Sequence, residues 1–97
     1  MIQVHSLEGL SFEWDSEKAE ANREAHGVSF EEAAEAFLDP FHQGGDASQQ
    51  FEERQFLIGY SLAARLLIVI YTDRGPRIRV ISAWPATRSE RRMYEEA

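Results

Sequence analysis

The residues in this chain that could do chemistry are mostly arginines. Residues 54–97 hold eight of the ten basic residues, and all eight are arginine. A guanidinium is permanently charged, planar and shaped to grip phosphate oxygens. Arg79 is expected on a sheet face, and Arg88 and Arg91, three residues apart, share one side of a helix. Such groups suit a phosphodiester. Cleaving one in RNA also needs a base to activate the 2′-hydroxyl. Glu53, His26 and Tyr94 are the candidates. Equally, Glu53–Arg54 and Glu90 with nearby arginines can be read as surface ion pairs, each worth about 0–1 kcal/mol. His26, just before Gly27, is also an ordinary residue for the last turn of a helix. Residue types alone leave chemistry and salt bridges both open.

Other chemistries find little support. The chain has no cysteine, so no disulfide or thiolate site. Its three histidines (His5, His26, His42) lack metal-ligand spacing, so no metal or other cofactor is expected. There is no glycine-rich phosphate loop and no nucleophile motif. The net charge of −7 argues against strong non-specific nucleic-acid binding. That charge is uneven: residues 1–53 carry 13 acids and 2 bases, whereas residues 54–97 carry 4 acids and 8 bases. No secretory signal or membrane span is visible, so a cytoplasmic location without membrane contact is expected. The 97 residues are read as one domain, 1–97.

The elements that must position these side chains are arranged around Leu66–Tyr71, a run of six apolar residues that reads as a strand. Leu66, Ile68 and Ile70 point to one face and Leu67, Val69 and Tyr71 to the other, so both faces need cover. Leu10–Trp14 alternates as a short strand. Asp15 then caps a polar helix that ends at His26–Gly27. Ser29-Phe30-Glu31-Glu32 reads as a capping box. Phe30, Ala33, Ala34, Phe37 and Leu38 make the next helix amphipathic, ending at Asp39-Pro40. Only Gly27 and Val28 separate the two helices, which implies a tight helical hairpin. His42–Gln50 reads as a loop, with Phe41 as a possible edge strand before it. Residues 53–60, 66–72 and 77–83 form an antiparallel meander. In the last strand, Ile78, Val80 and Ser82 are expected on one face and Arg77, Arg79, Ile81 and Ala83 on the other. Thr87-Arg88-Ser89-Glu90 is a second capping box, opening a short final helix through about Glu95. The fold class is therefore α+β, a helical hairpin packed on an antiparallel sheet with a short C-terminal helix.

Taken in order, several motifs resemble the BrnT toxin family. They are Phe12-Glu13-Trp14-Asp15, Lys18-Ala19, Asn22, His26-Gly27-Val28-Ser29-Phe30-Glu31-Glu32-Ala33, Phe37 and Asp39-Pro40. Glu53-Arg54, Ile58-Gly59, Tyr71-Thr72, Arg79, Ile81-Ser82-Ala83, Ala86-Thr87-Arg88, Glu90-Arg91-Arg92 and Tyr94 continue the pattern. The resemblance spans about residues 11–95. It implies a RelE-like fold and a ribonuclease that cleaves RNA without a metal and stops translation. It also implies a BrnA-type ribbon-helix-helix antitoxin as partner, with operator DNA contacted only through that antitoxin. Under this resemblance Arg79 and Arg88 hold the scissile phosphate. Glu53 or His26 moves a proton, Arg54 orients Glu53, and Tyr94 stacks on a base or donates a hydrogen bond. Three positions depart from the family pattern. Ala25 replaces a lysine, Trp84 replaces an arginine, and the loop Asp46-Ala47-Ser48-Gln49-Gln50 lacks a histidine–serine pair. They leave a rival reading, a degenerate module that binds a partner without cleaving. An unrelated structural protein with surface arginines is a third. A partner is expected over Leu67, Val69 and Tyr71, with Ile81 and Trp84 nearby.

Overall fold

A computed structural model describes residues 1–48 and 52–97. Six strands form one sheet: β1 (Ile2–Leu7), β2 (Leu10–Asp15), β3 (Gln43–Asp46), β4 (Gln55–Tyr60), β5 (Leu66–Arg74) and β6 (Arg77–Pro85). Three helices accompany them: α1 (Ser16–His26), α2 (Phe30–Glu35) and α3 (Arg88–Glu95). The strand order is β1-β2-β6-β5-β4-β3. The fold is α+β, and the sheet is mixed rather than an antiparallel meander. β4, β5 and β6 do run antiparallel in sequence, but β2 joins β6 in parallel, with Phe12 opposite Ile78 and Glu13 opposite Arg79. The parallel pair arises because α1, α2 and the following strands separate β2 from β6, a crossover that no hairpin can supply.

Two strands escaped the sequence reading. β1 pairs with β2 through the two-residue turn Glu8-Gly9. Both turn residues have positive φ, 48° and 82°, the mirror-image turn that matches strand twist. A glutamate at its first position hides that signal. β3 occupies Gln43–Asp46, inside the expected loop, and pairs with β4. Its two glycines mask strand propensity. The Gln49–Gln50 part of that loop lies outside the described residues.

α1 and α2 lie on one face of the sheet, each packing chiefly against β6. Beneath them Phe12, Trp14, Phe30, Ala33, Ala34, Leu57, Leu67, Val69, Val80 and Ala83 form the main core. The expected faces of the central strand are therefore exchanged. The Leu67–Val69–Tyr71 face is filled by the helices. The Leu66–Ile68–Ile70 face is covered by α3, with Ile58, Tyr60, Trp84 and Tyr94. Trp84 stands opposite Ile68 and belongs to the α3 side. The face assignment within β6 also changes, because a bulge at Ile70/Tyr71 shifts the register. Ile81 becomes the unmatched residue, and Val80 and Ala83 both reach the helix-side core.

Local caps follow the sequence more closely. Asp15 accepts from the N–H groups of Glu17 and Lys18, and Gly27 closes α1 with φ 69°. Thr87 and Glu90 form a complete capping box. At Ser29 only half the box exists. Its hydroxyl accepts from the Glu32 N–H, but the Glu32 carboxylate turns instead to Arg65 and Ser61. The amphipathic helix also tightens early, into a 3₁₀ turn over Ala36–Leu38. There the Ala36 carbonyl approaches β4 so closely that a Cβ on Gly59 would stand 2.5 Å from its oxygen. Among the described residues no helix is long and apolar enough to cross a membrane.

Candidate active site

The face of the sheet away from α1 and α2 has two halves. α3 covers the end near Ile68 and Trp84. At the other end β2, β6 and β5 lie side by side, and a row of residues crosses them. Phe12 and Trp14 point to the helix-side core, so Glu13 points away. By the same alternation Arg79 points away from Val80, and Thr72 away from Tyr71. The registers place Glu13 opposite Arg79, and Arg79 opposite Thr72.

Two adjoining clefts open along this row. One, of about 560 Å³, lies between the β3–β4 end and β5; its walls include Asp46, Ser48, Glu53, Arg54 and Thr72. The other, of about 390 Å³, is bounded by Lys18, Glu53, Arg54, Thr72, Arg74 and Arg79. They share Glu53, Arg54, Thr72 and Asp73. The tertiary structure thus brings Glu53, Arg54 and Arg79 to one place.

The charges there are partly matched within the chain. Arg79 donates from Nε to Glu13 Oε2 at 2.7 Å, and Arg77 approaches the same carboxylate at 3.9 Å. Glu13 is only 13% exposed, so it fixes the Arg79 side chain firmly. Arg54 pairs with Glu52 rather than with Glu53. Glu53 is exposed at the cleft. The Thr72 hydroxyl, buried in the wall common to both clefts, has no hydrogen-bond partner among the described residues. Such an orphan is where a bound water or ligand group would be satisfied. A carboxylate beside two guanidiniums can accept a proton while they carry phosphate charge.

The remaining candidates lie elsewhere. His26, at the end of α1, is exposed with its ring 6.2 Å from that of Trp84. Arg88 opens α3 and is exposed. Tyr94 anchors α3 to the sheet. Its hydroxyl donates to Asp39 Oδ2 at 2.6 Å, and its ring meets Tyr60 edge-on at 5.4 Å. Burial, together with that bond to the Asp39 carboxylate, pushes the phenol up to about 12. Burial alone would raise the Asp39 carboxyl. The bonds from Tyr94 and from the N–H groups of Tyr60 and Phe41 outweigh it and hold the carboxyl below its ordinary range. None of these three side chains lines the two clefts.

Sequence reasoning missed Glu13 and Thr72 as members of the site. Alternation in Phe12-Glu13-Trp14 does aim Glu13 away from the core, but its partner follows only from the parallel β2–β6 register. Among the described residues no group of three or more His, Asp or Glu side chains is placed to hold a metal ion.

Comparison with known proteins bears on this geometry. A family model described as the ribonuclease toxin BrnT of type II toxin–antitoxin systems matches residues 14–90. The 1.1 Å crystal structure of the Brucella abortus ribonuclease toxin BrnT superposes with a TM-score of 0.59 and 26% identity. That match covers 77% of this chain and 94% of the other. No curated protein sequence matches the chain.

Proposed function

The chain belongs to the BrnT family of ribonuclease toxins from type II toxin–antitoxin systems, and we propose that it is a metal-independent endoribonuclease that inhibits translation. The observation that carries this reading is the convergence of Glu53, Arg54 and Arg79 on one cleft that also holds Lys18 and Arg74. In the proposed reaction the 2′-hydroxyl gives its proton to Glu53 and attacks the adjacent phosphorus. The bond to the 5′-oxygen breaks as that oxygen takes a proton from solvent water, leaving a 2′,3′-cyclic phosphate and a 5′-hydroxyl. Arg79 carries charge on the phosphoryl oxygens, and Arg54, which shares the cleft wall with Glu53 but pairs with Glu52, adds a second positive charge. Arg88, exposed where α3 opens, and His26, exposed at the end of α1, lie outside the cleft and fit outer contacts for the RNA strand, whereas Tyr94 is committed to Asp39 and Tyr60. The family implies an antitoxin partner. We propose the BrnA type, with a ribbon-helix-helix domain through which the complex meets operator DNA, on a RelE-like toxin fold.

A second reading has its own support. Glu13 holds Arg79 and Glu52 holds Arg54, so both guanidiniums already have partners. A cleft neutralised in this way suits a module that binds the antitoxin and no longer cleaves. The test is incubation of the purified protein with mixed RNA, with and without EDTA. Cleavage that survives EDTA and is abolished by Arg79→Ala, at near-unchanged melting temperature, supports the nuclease. An intact protein that binds antitoxin but leaves RNA whole supports the second reading.

A further inference from the structure

β1 ends the sheet, and its outer edge is bare among the described residues. The hairpin decides which backbone groups are free. In a two-residue hairpin the flanking residues, Leu7 and Leu10, exchange hydrogen bonds, and so do alternate pairs beyond them. His5–Phe12 and Gln3–Trp14 are therefore bonded pairs. The Ser16 N–H donating to the Met1 carbonyl at 2.8 Å continues the same phase. The N–H and C=O groups of Ile2, Val4 and Ser6 consequently point outward.

Nothing in β1 blunts this edge. Residues 2–7 contain no Lys, Arg, Asp, Glu, Pro or Gly, in a chain that is 28% charged. Natural edge strands usually carry such a guard. Ile2 and Val4 are apolar and 46% and 52% exposed. The opposite edge differs, because β3 has four residues, two of them glycine, and ends in Asp46. The β1 strand also precedes the residues that match the family model, 14–90.

We propose that β1 is a self-association edge, pairing antiparallel with β1 of a second copy to join the two sheets. The strand is its own complement. A two-fold axis through Val4 sets each residue i opposite 8−i. Val4 then faces its counterpart, and Ile2 faces Ser6 of the second copy. All three outward-facing residues thus meet outward-facing residues, each pair exchanging two backbone bonds. Gln3 faces His5 of the second copy, so no formal charge opposes another. The contact is isologous and closes at two copies, whereas β1 against β3 would run on as an open chain. One edge strand covers less than the roughly 800 Å² per partner of a standard interface. The dimer is accordingly weak and concentration-dependent. Each copy carries −7, so added salt strengthens it.

The proposal does not depend on the ribonuclease reading. Sedimentation velocity over a concentration series tests it, together with amide exchange of Ile2, Val4 and Ser6 by NMR. A monomer–dimer equilibrium is expected, with those three amides protected only in the dimer. Val4→Lys places two ammonium groups at the axis and should weaken the dimer at least about tenfold. Val4→Pro removes an outward donor that β2 does not use and should act likewise, while Val4→Thr should leave the dimer intact. Unchanged melting temperatures for Val4→Lys and Val4→Thr show that the fold is kept. A wild-type chain that stays monomeric overturns the proposal. So does a dimer indifferent to Val4→Lys, or protection of these amides only when an antitoxin is added.

Discussion

Asn22 is the side chain whose removal should cost this fold most for its size. It lies in α1, 7% exposed, and makes four hydrogen bonds. Nδ2 donates to the Val28 carbonyl at 3.1 Å and to the Ala83 carbonyl at 2.9 Å. Oδ1 accepts from the Ala83 N–H and the Ser82 hydroxyl, each at 3.1 Å. The Ala83 pair explains the arrangement. β2 accompanies β6 only at Ile78 and Arg79, so Ala83 further along has no strand on that side. The Asn22 amide supplies one residue's worth of that missing strand. Asn22→Ala strands the Val28 carbonyl and both Ala83 backbone groups, each costing about 1–3 kcal/mol when buried. Water entering the vacated space recovers part of this, so a net loss of about 3–5 kcal/mol is expected. At roughly 4–8 °C per kcal/mol, that lowers the melting temperature by some 12–40 °C. Asn22→Asp keeps the shape but sets a carboxylate against two carbonyl oxygens. Those oxygens raise its folded pKa above the unfolded value, so the variant should regain stability as the pH falls. Urea titration at several pH values measures both. A loss below about 1 kcal/mol for Asn22→Ala at unchanged slope would refute the missing-strand argument.

The other expectations concern close packing, pH and capping. Gly59→Ala drives a Cβ into the Ala36 carbonyl and should destabilise by about 1–3 kcal/mol in chemical denaturation; a neutral result would mean that the 3₁₀ turn moves freely. Asp39 and Glu32 have folded pKa values below 3.8 and 4.5, so the unfolded chain takes up their protons first on acidification. Their contribution is complete above about pH 4.5 and lost below it, and Asp39→Asn should flatten that acid limb of the melting-temperature profile. Tyr94 has the opposite sign. Its raised pKa makes the α3 anchor complete below pH 10 and lost as the pH passes about 12, a limb that Tyr94→Phe should reduce. Thr87→Ala removes half of a complete capping box and should cost about 0.5–2 kcal/mol by the same titration.

What the sequence determined by itself was local. Short-range sterics and hydrogen bonds placed the α1 and α3 caps, the end of α1 at Gly27 and the strands around Leu66–Tyr71, because each depends on neighbours within a few residues. Family membership was legible for a similar reason, through ordered short motifs from Phe12 to Tyr94. The parallel union of β2 with β6 was not legible. It pairs residues 66 apart, Glu13 with Arg79, and nothing in either strand names the other. The same holds for the bulge at Ile70/Tyr71, which moved Ala83 and Val80 onto one side, and for the choice of which face of the central strand the helices cover. The candidate site divides along this line. The types Glu53, Arg54 and Arg79 could be picked from the sequence because few residue types can move a proton or carry phosphate charge. Their meeting in one cleft, the clamp of Glu13 on Arg79 and the use of Tyr94 as an anchor to Asp39 were decided only by the tertiary structure. Side chains distant in the chain become neighbours only once the sheet order and register are fixed.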